Sequence, residues 1–244
     1  MNRLLVTAIS VFIGLIPIAT LADNANIVRT AKGEYSYINQ DTNEIVGHEE
    51  WSMMVDRSGA RTFIINQRWD DANQARMTVH RIDADLRPIE SYQTMWDAEG
   101  WLSSGVYSVV ENTVTAVVTG RRGRATQTLE VPDRFSLVPH PLATDGLHFW
   151  YVAAPVGETV EGTVYNIRKK DELTGASLGV VHAVELTYLG IEEMTTAAGT
   201  FETKHFNMGG NSDFWVDARD GILVRLSYGP EGTRYDLTAY ESSN

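Results

Sequence analysis

The chain contains no cysteine, which excludes disulfides, thiolate metal sites, iron–sulfur clusters and cysteine nucleophiles together and leaves stability to burial and sheet hydrogen bonding. Basic residues are scarce as well: 20 Lys and Arg stand against 32 Asp and Glu in 244 residues, a net charge of −12. Nonspecific binding to nucleic acid or to anionic lipid needs a basic face, and this balance argues against both. The one basic cluster, Arg121, Arg122 and Arg124, is interleaved with glycines and reads as a solvated hairpin tip. Helical periodicity is nearly absent after the first residues. No Gly-x-Ser-x-Gly elbow, P-loop, dinucleotide fingerprint or His-Glu-x-x-His occurs, so the sequence implies no cofactor and no metal ion.

What is present is an ordinary globular composition, 43% hydrophobic and 9% aromatic, which excludes disorder as the dominant state. Met1-Asn2-Arg3 precedes an apolar run from Leu4 to Ile18 and then Ala19-Thr20-Leu21-Ala22, the pattern of a signal peptide cleaved after Ala22. An uncleaved N-terminal anchor is the alternative, although the run is shorter than the ~20 residues of a membrane span. Cleavage removes Arg3 and no acid, taking the net charge from −12 to −13 for residues 23–244, which are expected to be a single exported β-sheet domain with no stable membrane insertion.

From Gly33 onward, short β-like runs follow one another at meander spacing: Gly33–Asn39, Ile45–Val55, Arg61–Trp69, Ala75–Ile82, Leu86–Trp96, Trp101–Val110 and Thr113–Thr119, then Thr159–Ile167, Leu178–Leu189, Gly199–Met208, Asp213–Asp217, Ile222–Tyr228 and Thr233–Ala239. Asp, Asn and Gly between them supply the turns. Residues 132–155 break this rhythm with four of the seven prolines around His148-Phe149-Trp150-Tyr151. The segment is not expected to join the sheet. Thr144-Asp145-Gly146 can cap a short helix over Gly146–Ala153, and the aromatics then need a place to be buried, most simply across the concave face of a curved sheet as a lid. The fold class expected is all-β, a strongly curved antiparallel sheet, half-barrel or barrel, with that lid.

The run Gly190-Ile191-Glu192-Glu193-Met194-Thr195-Thr196-Ala197-Ala198-Gly199-Thr200-Phe201-Glu202-Thr203, with Asp213-Phe214-Trp215-Val216-Asp217 and Gly221-Ile222-Leu223-Val224-Arg225-Leu226, resembles the C-terminal half of a family of exported bacterial proteins of unknown function. Those proteins are similar in turn to curved antiparallel sheets of the lipoprotein-carrier type. The resemblance implies a half-barrel with a lid and a Gram-negative periplasm, and it carries no activity.

Candidate chemistry gathers in a few places. His140, Asp145 and His148 fall within nine residues on the expected lid, a set suited to acid–base work or metal ligation; capping and packing are the structural alternative. His205 alternates with Phe206 and shares the face of Phe201 and Thr203, where it would meet the lid histidines if that face is interior. His80 and Arg81 point to opposite faces, so only one can line a cavity. Arg225, in an apolar strand, needs a partner, Asp213 or Asp217, unless it anchors an anionic head group. Trp150, Tyr151 and Trp215 are candidates to line a ligand site with Asp213 and Arg225. Three functions are expected to compete: binding or carriage of an apolar or amphiphilic small molecule beneath the lid; a lyase, isomerase or hydrolase using His140, Asp145, His148 and His205 in the same cavity; and envelope assembly through an exposed edge strand.

Overall fold

A computed structural model describes residues 26–70 and 72–243; the expected signal peptide, residues 1–22, lies outside them. Among the described residues fifteen strands form one sheet: β1 (Ile27–Asn39), β2 (Ile45–Asp56), β3 (Arg61–Trp69), β4 (Gln74–Ile82), β5 (Pro88–Asp97), β6 (Gly100–Val110), β7 (Thr113–Gly120), β8 (Gly123–Glu130), β9 (Ser136–Val138), β10 (Thr159–Lys170), β11 (Ser177–Thr196), β12 (Gly199–Met208), β13 (Ser212–Asp217), β14 (Leu223–Tyr228) and β15 (Thr233–Ser242). Between β9 and β10 lie a one-turn helix α1 (Leu142–Asp145) and a 3₁₀ turn (Gly146–Phe149). The spatial order runs β8 back to β1, then β15 back to β9, so consecutive strands are neighbours except β8 and β9, which lie at the two ends of the sheet, and β1 meets β15. All pairings are antiparallel apart from β9 on β10.

Period-two alternation assigns the faces. In β3, Phe63 and Ile65 are buried between exposed neighbours; in β13, Phe214 and Val216 are buried while Asp213, Trp215 and Asp217 face the other way. The inward residues build two cores. One joins β1–β3 and β12–β15 around Tyr35, Met53, Phe63, Phe214 and Leu226; the other joins β6 and β7 to β9–β11 through Tyr107, Val118, Leu137, Tyr165 and Ile167. The second core brings the two ends of the open sheet against one another. Gln127 of β8 fastens that seam: its Nε2 donates to the Gly179 carbonyl at 3.1 Å, and its Oε1 accepts the Gly179 N–H at 2.9 Å and the Tyr165 hydroxyl at 3.1 Å. A side-chain amide thus replaces one backbone bridge, satisfying two buried main-chain groups that the open ladder leaves over.

The proline-rich segment is a plug built into the core. Leu142, Ala143, Leu147 and Phe149 belong to the first core, and Phe149 stacks on Phe206 with centroids 4.3 Å apart and planes 8° from parallel. At about 1.5–3 kcal/mol for each large apolar side chain fully buried, this anchoring makes the plug part of the fold. Three expectations are corrected here. The segment does contribute a strand, β9, because three residues at a sheet edge between Pro132 and Pro139 leave the prolines outside the ladder. The helical turns begin at Leu142 and end at Phe149, and Asp145 makes no capping bond. The strand β8 was not expected at all; the basic cluster straddles its turn, with Arg121 paired to Asp97 and Glu99 and Arg124 inside the strand.

Candidate functional site

The plug is held from below by Glu49. Its place in β2, in phase with Trp51 and Met53, turns the carboxylate inward, where the residue is fully buried. The carboxylate accepts the N–H groups of Leu142 and Ala143 at 2.8 Å each and the Tyr37 hydroxyl at 3.0 Å. It therefore caps α1 from outside the helix, satisfying two of the N-terminal N–H groups that the one-turn helix cannot satisfy itself. Burial dominates over those three bonds and pushes the carboxyl up to about 8. Gln67 extends the network, donating to the Tyr37 hydroxyl at 2.8 Å and to the His140 carbonyl at 3.2 Å.

The sequence-derived candidates separate into several places. His140 Nε2 meets Asn166 Oδ1 at 2.8 Å, and burial, aided by Arg76, holds the imidazole down at about 4. His148 Nε2 meets Asp145 Oδ1 at 3.1 Å, and no hydrogen bond among the described residues joins the two pairs. His80 is buried on the inner face, its pKa lowered to about 3 by burial; Arg81 points outward to Glu90 at 2.6 Å. His205 does not meet the lid histidines. Phe206 and Phe214 are the inward pair, so the neighbouring register pair His205 and Trp215 faces away from the plug. There His205 stacks on Trp215 with centroids 4.5 Å apart, between Glu192 at 3.1 Å and Asp213 at 3.2 Å. Arg225 lies next in that row and pairs with Asp236 at 2.5 Å, its register partner in β15, in place of Asp213 or Asp217. Tyr151 clamps the plug to β10, donating to the Thr163 carbonyl at 3.2 Å and accepting the Thr163 N–H at 3.1 Å.

Trp150 lines an open cleft. This cleft, of about 240 Å³, lies where the plug meets β12, β13 and the β13–β14 turn. Its apolar lining is Phe149, Trp150, Val152, Tyr188, Phe206 and Val216; its polar rim carries Arg61, Lys204, Asp217, Arg219 and Asp220. Two glycines let the walls approach. A Cβ on Gly146 would lie 2.3 Å from the Gly221 carbonyl oxygen, and Gly221 itself has φ +70°, the left-handed conformation its turn requires.

The rim is organised by Asp220, whose carboxylate receives the Arg29 guanidinium, the Tyr240 hydroxyl at 2.9 Å and Arg219 at 3.1 Å. Burial pushes this carboxyl up, but the bonds from Arg29 and Tyr240 outweigh it and hold the group at about 2. Asp217 accepts the Asp220 N–H at 2.7 Å and is raised by burial and by its acidic neighbour. Arg61 donates to the Asp220 carbonyl at 2.8 Å. Sequence reading passed over Arg61, Lys204 and Arg219 because they are ordinary basic residues far apart in the chain; Asp217 was noted only as a possible partner of Arg225, and Asp220 only as a turn residue. A second groove of about 300 Å³ opens on the sheet around Gly33, lined by Trp51, Ser52, Asn66 and Tyr240 among others. None of the candidate histidines lines either cleft.

No protein-family model and no curated protein matches the chain. Among solved structures it is similar to a β-barrel-like protein of the domain of unknown function DUF1849 from Brucella abortus, with a TM-score of 0.52 at 11% identity, over 90% of this chain and 99% of that one. The likeness is one of fold. A DUF1089 family protein from Pseudomonas aeruginosa also matches, with a TM-score of 0.40 at 10% identity, over 72% of this chain and 87% of that one. The curved antiparallel sheet expected from the sequence agrees with the β-barrel-like fold of the Brucella abortus protein.

Proposed function

We propose that the protein is exported to the periplasm and binds an amphiphilic small molecule, which it takes up in the cleft between the plug and β12–β13. The observation that carries this reading is the cleft's composition: an aromatic and aliphatic floor beneath a rim of convergent charged groups, the usual make-up of a small-molecule site. Its volume of about 240 Å³ lies just under the ~300–1,000 Å³ range of pockets that enclose a drug-sized ligand. Part of a chain fits, with the remainder outside. The inside of the curved sheet is filled by Leu142, Leu147 and Phe149, which moves the site from beneath the plug to its margin. Export rests on the N-terminal pattern ending at Ala22.

Ala154 lines the cleft without belonging to either core. Ala154→Trp is therefore expected to fill the site and leave the fold intact. Calorimetric titration with twelve-carbon amphiphiles below their micelle concentrations should give saturable binding to the native chain and none to the variant; equal binding to both would refute the site. Cell fractionation should recover a chain beginning at Asp23 in the periplasm.

A further inference from the structure

We infer that the ligand of this cleft carries an anionic head group, a carboxylate or a phosphate monoester, and that Arg61 and Lys204 receive it; the inference rests on the cleft being a binding site. Five charged side chains line the cleft, and their pairings leave an imbalance. Asp220 is committed to Arg29, Arg219 and Tyr240. Arg219 shares that carboxylate and the Tyr240 hydroxyl. Asp217 is turned to the Asp220 N–H. Arg61 and Lys204 form no ion pair among the described residues.

Arg61 is the more informative of the two. It is half-buried at the start of β3, and its Nη1 bond to the Asp220 carbonyl fixes the guanidinium while using one of its five donors. Burying a guanidinium without a carboxylate is unfavourable, and an oxyanion in the cleft relieves that cost through a bidentate, charge-assisted pair. Lys204, exposed on β12 as the register partner of Val216, brings a second positive charge to the same cleft. Phe149, Phe206 and Val216 line the same cleft, so a head group held by the cations leaves its chain to cover the aromatics. In a chain of net charge −12 the overall field repels anions. Selectivity for them has to come from this local pair, and it weakens as salt rises.

The test is calorimetric titration of the native full domain with dodecanoate, dodecyl phosphate and dodecyl maltoside, each below its micelle concentration, beside Arg61→Gln and Lys204→Gln. At least one anionic compound should bind tenfold or more tightly than the maltoside, and the tighter of the two names the head group. Each substitution should reduce that preference to threefold or less, the loss falling on the anions. Lys204→Gln alters an exposed side chain, so it carries the test should Arg61→Gln fold poorly. If the maltoside binds as tightly as both anions, or neither substitution changes the preference, the anionic assignment is overturned and the cleft reading stands. If none of the three binds, the cleft reading itself falls and takes the assignment with it.

Discussion

Replacing Glu49 with glutamine tests how the plug is held. The carboxyl is raised from 4.5 to about 8 by burial, so between those values the folded chain binds a proton that the unfolded chain has released. Stability that depends on this proton is whole below pH 4.5 and is lost as pH rises through about 8. At about 1.4 kcal/mol per pH unit for one proton, the span from 4.5 to about 8 is worth of order 5 kcal/mol. Glutamine keeps the shape and does not titrate. It also turns an N–H₂ group toward one of the two helix donors now received by the carboxylate, at a cost of about 1–3 kcal/mol for the unsatisfied group. Urea unfolding followed by tryptophan fluorescence at pH 5, 6, 7 and 8 should therefore find Glu49→Gln less stable at pH 5, with the deficit shrinking as pH rises and reversing before pH 8. Parallel stability curves across that range would show that Glu49 does not titrate in it and would refute the reasoning.

Two further substitutions probe the packing around the plug and the seam. Gly146→Ala adds a Cβ 2.3 Å from a backbone oxygen at a position whose φ of −61° any residue tolerates, so the expected loss of about 1–3 kcal/mol reports the close approach alone; a melting temperature equal to the native one would show that the β13–β14 turn gives way freely. Gln127→Leu strands the N–H and C=O of Gly179 and the Tyr165 hydroxyl, at a cost of about 2 kcal/mol or more, and should speed hydrogen exchange at Gly179 before the rest of β11. Unchanged exchange there would mean that the sheet ends hold together without the bridge.

The strands were legible because alternation is a local signal. Phe63 and Ile65, or Phe214 and Val216, declare a face within one strand, and the turns between strands carry their own residues. What was not legible depends on partners far away in the chain. Parity separated His205 from Phe206 correctly, but which of the two faces inward is decided by Phe149 stacking on Phe206, 57 positions away. Arg225 was expected to pair with Asp213 or Asp217 of the preceding strand, whereas register across β14 and β15 delivers Asp236. Strand β8 was missed because its inward positions, Ala125, Gln127 and Leu129, make a weak apolar pattern, and the middle one is polar so that it can bridge the seam. Glu49 was passed over for the same kind of reason: a carboxylate in phase with Trp51 and Met53 makes sense only once the α1 N-terminus arrives above it. The cleft joins residue 61 to residues 146–154 and 204–221, and no window of sequence contains it.

Hydrogen exchange of the native chain, with and without the twelve-carbon anion that binds most tightly, is the most direct measurement of whether this cleft is the binding site. Added protection confined to the cleft segments, around residues 61 and 188 and at 146–154, 204–206 and 216–221, is the predicted result; protection around Gly33 and Trp51 instead, or none anywhere at saturating ligand, would contradict it.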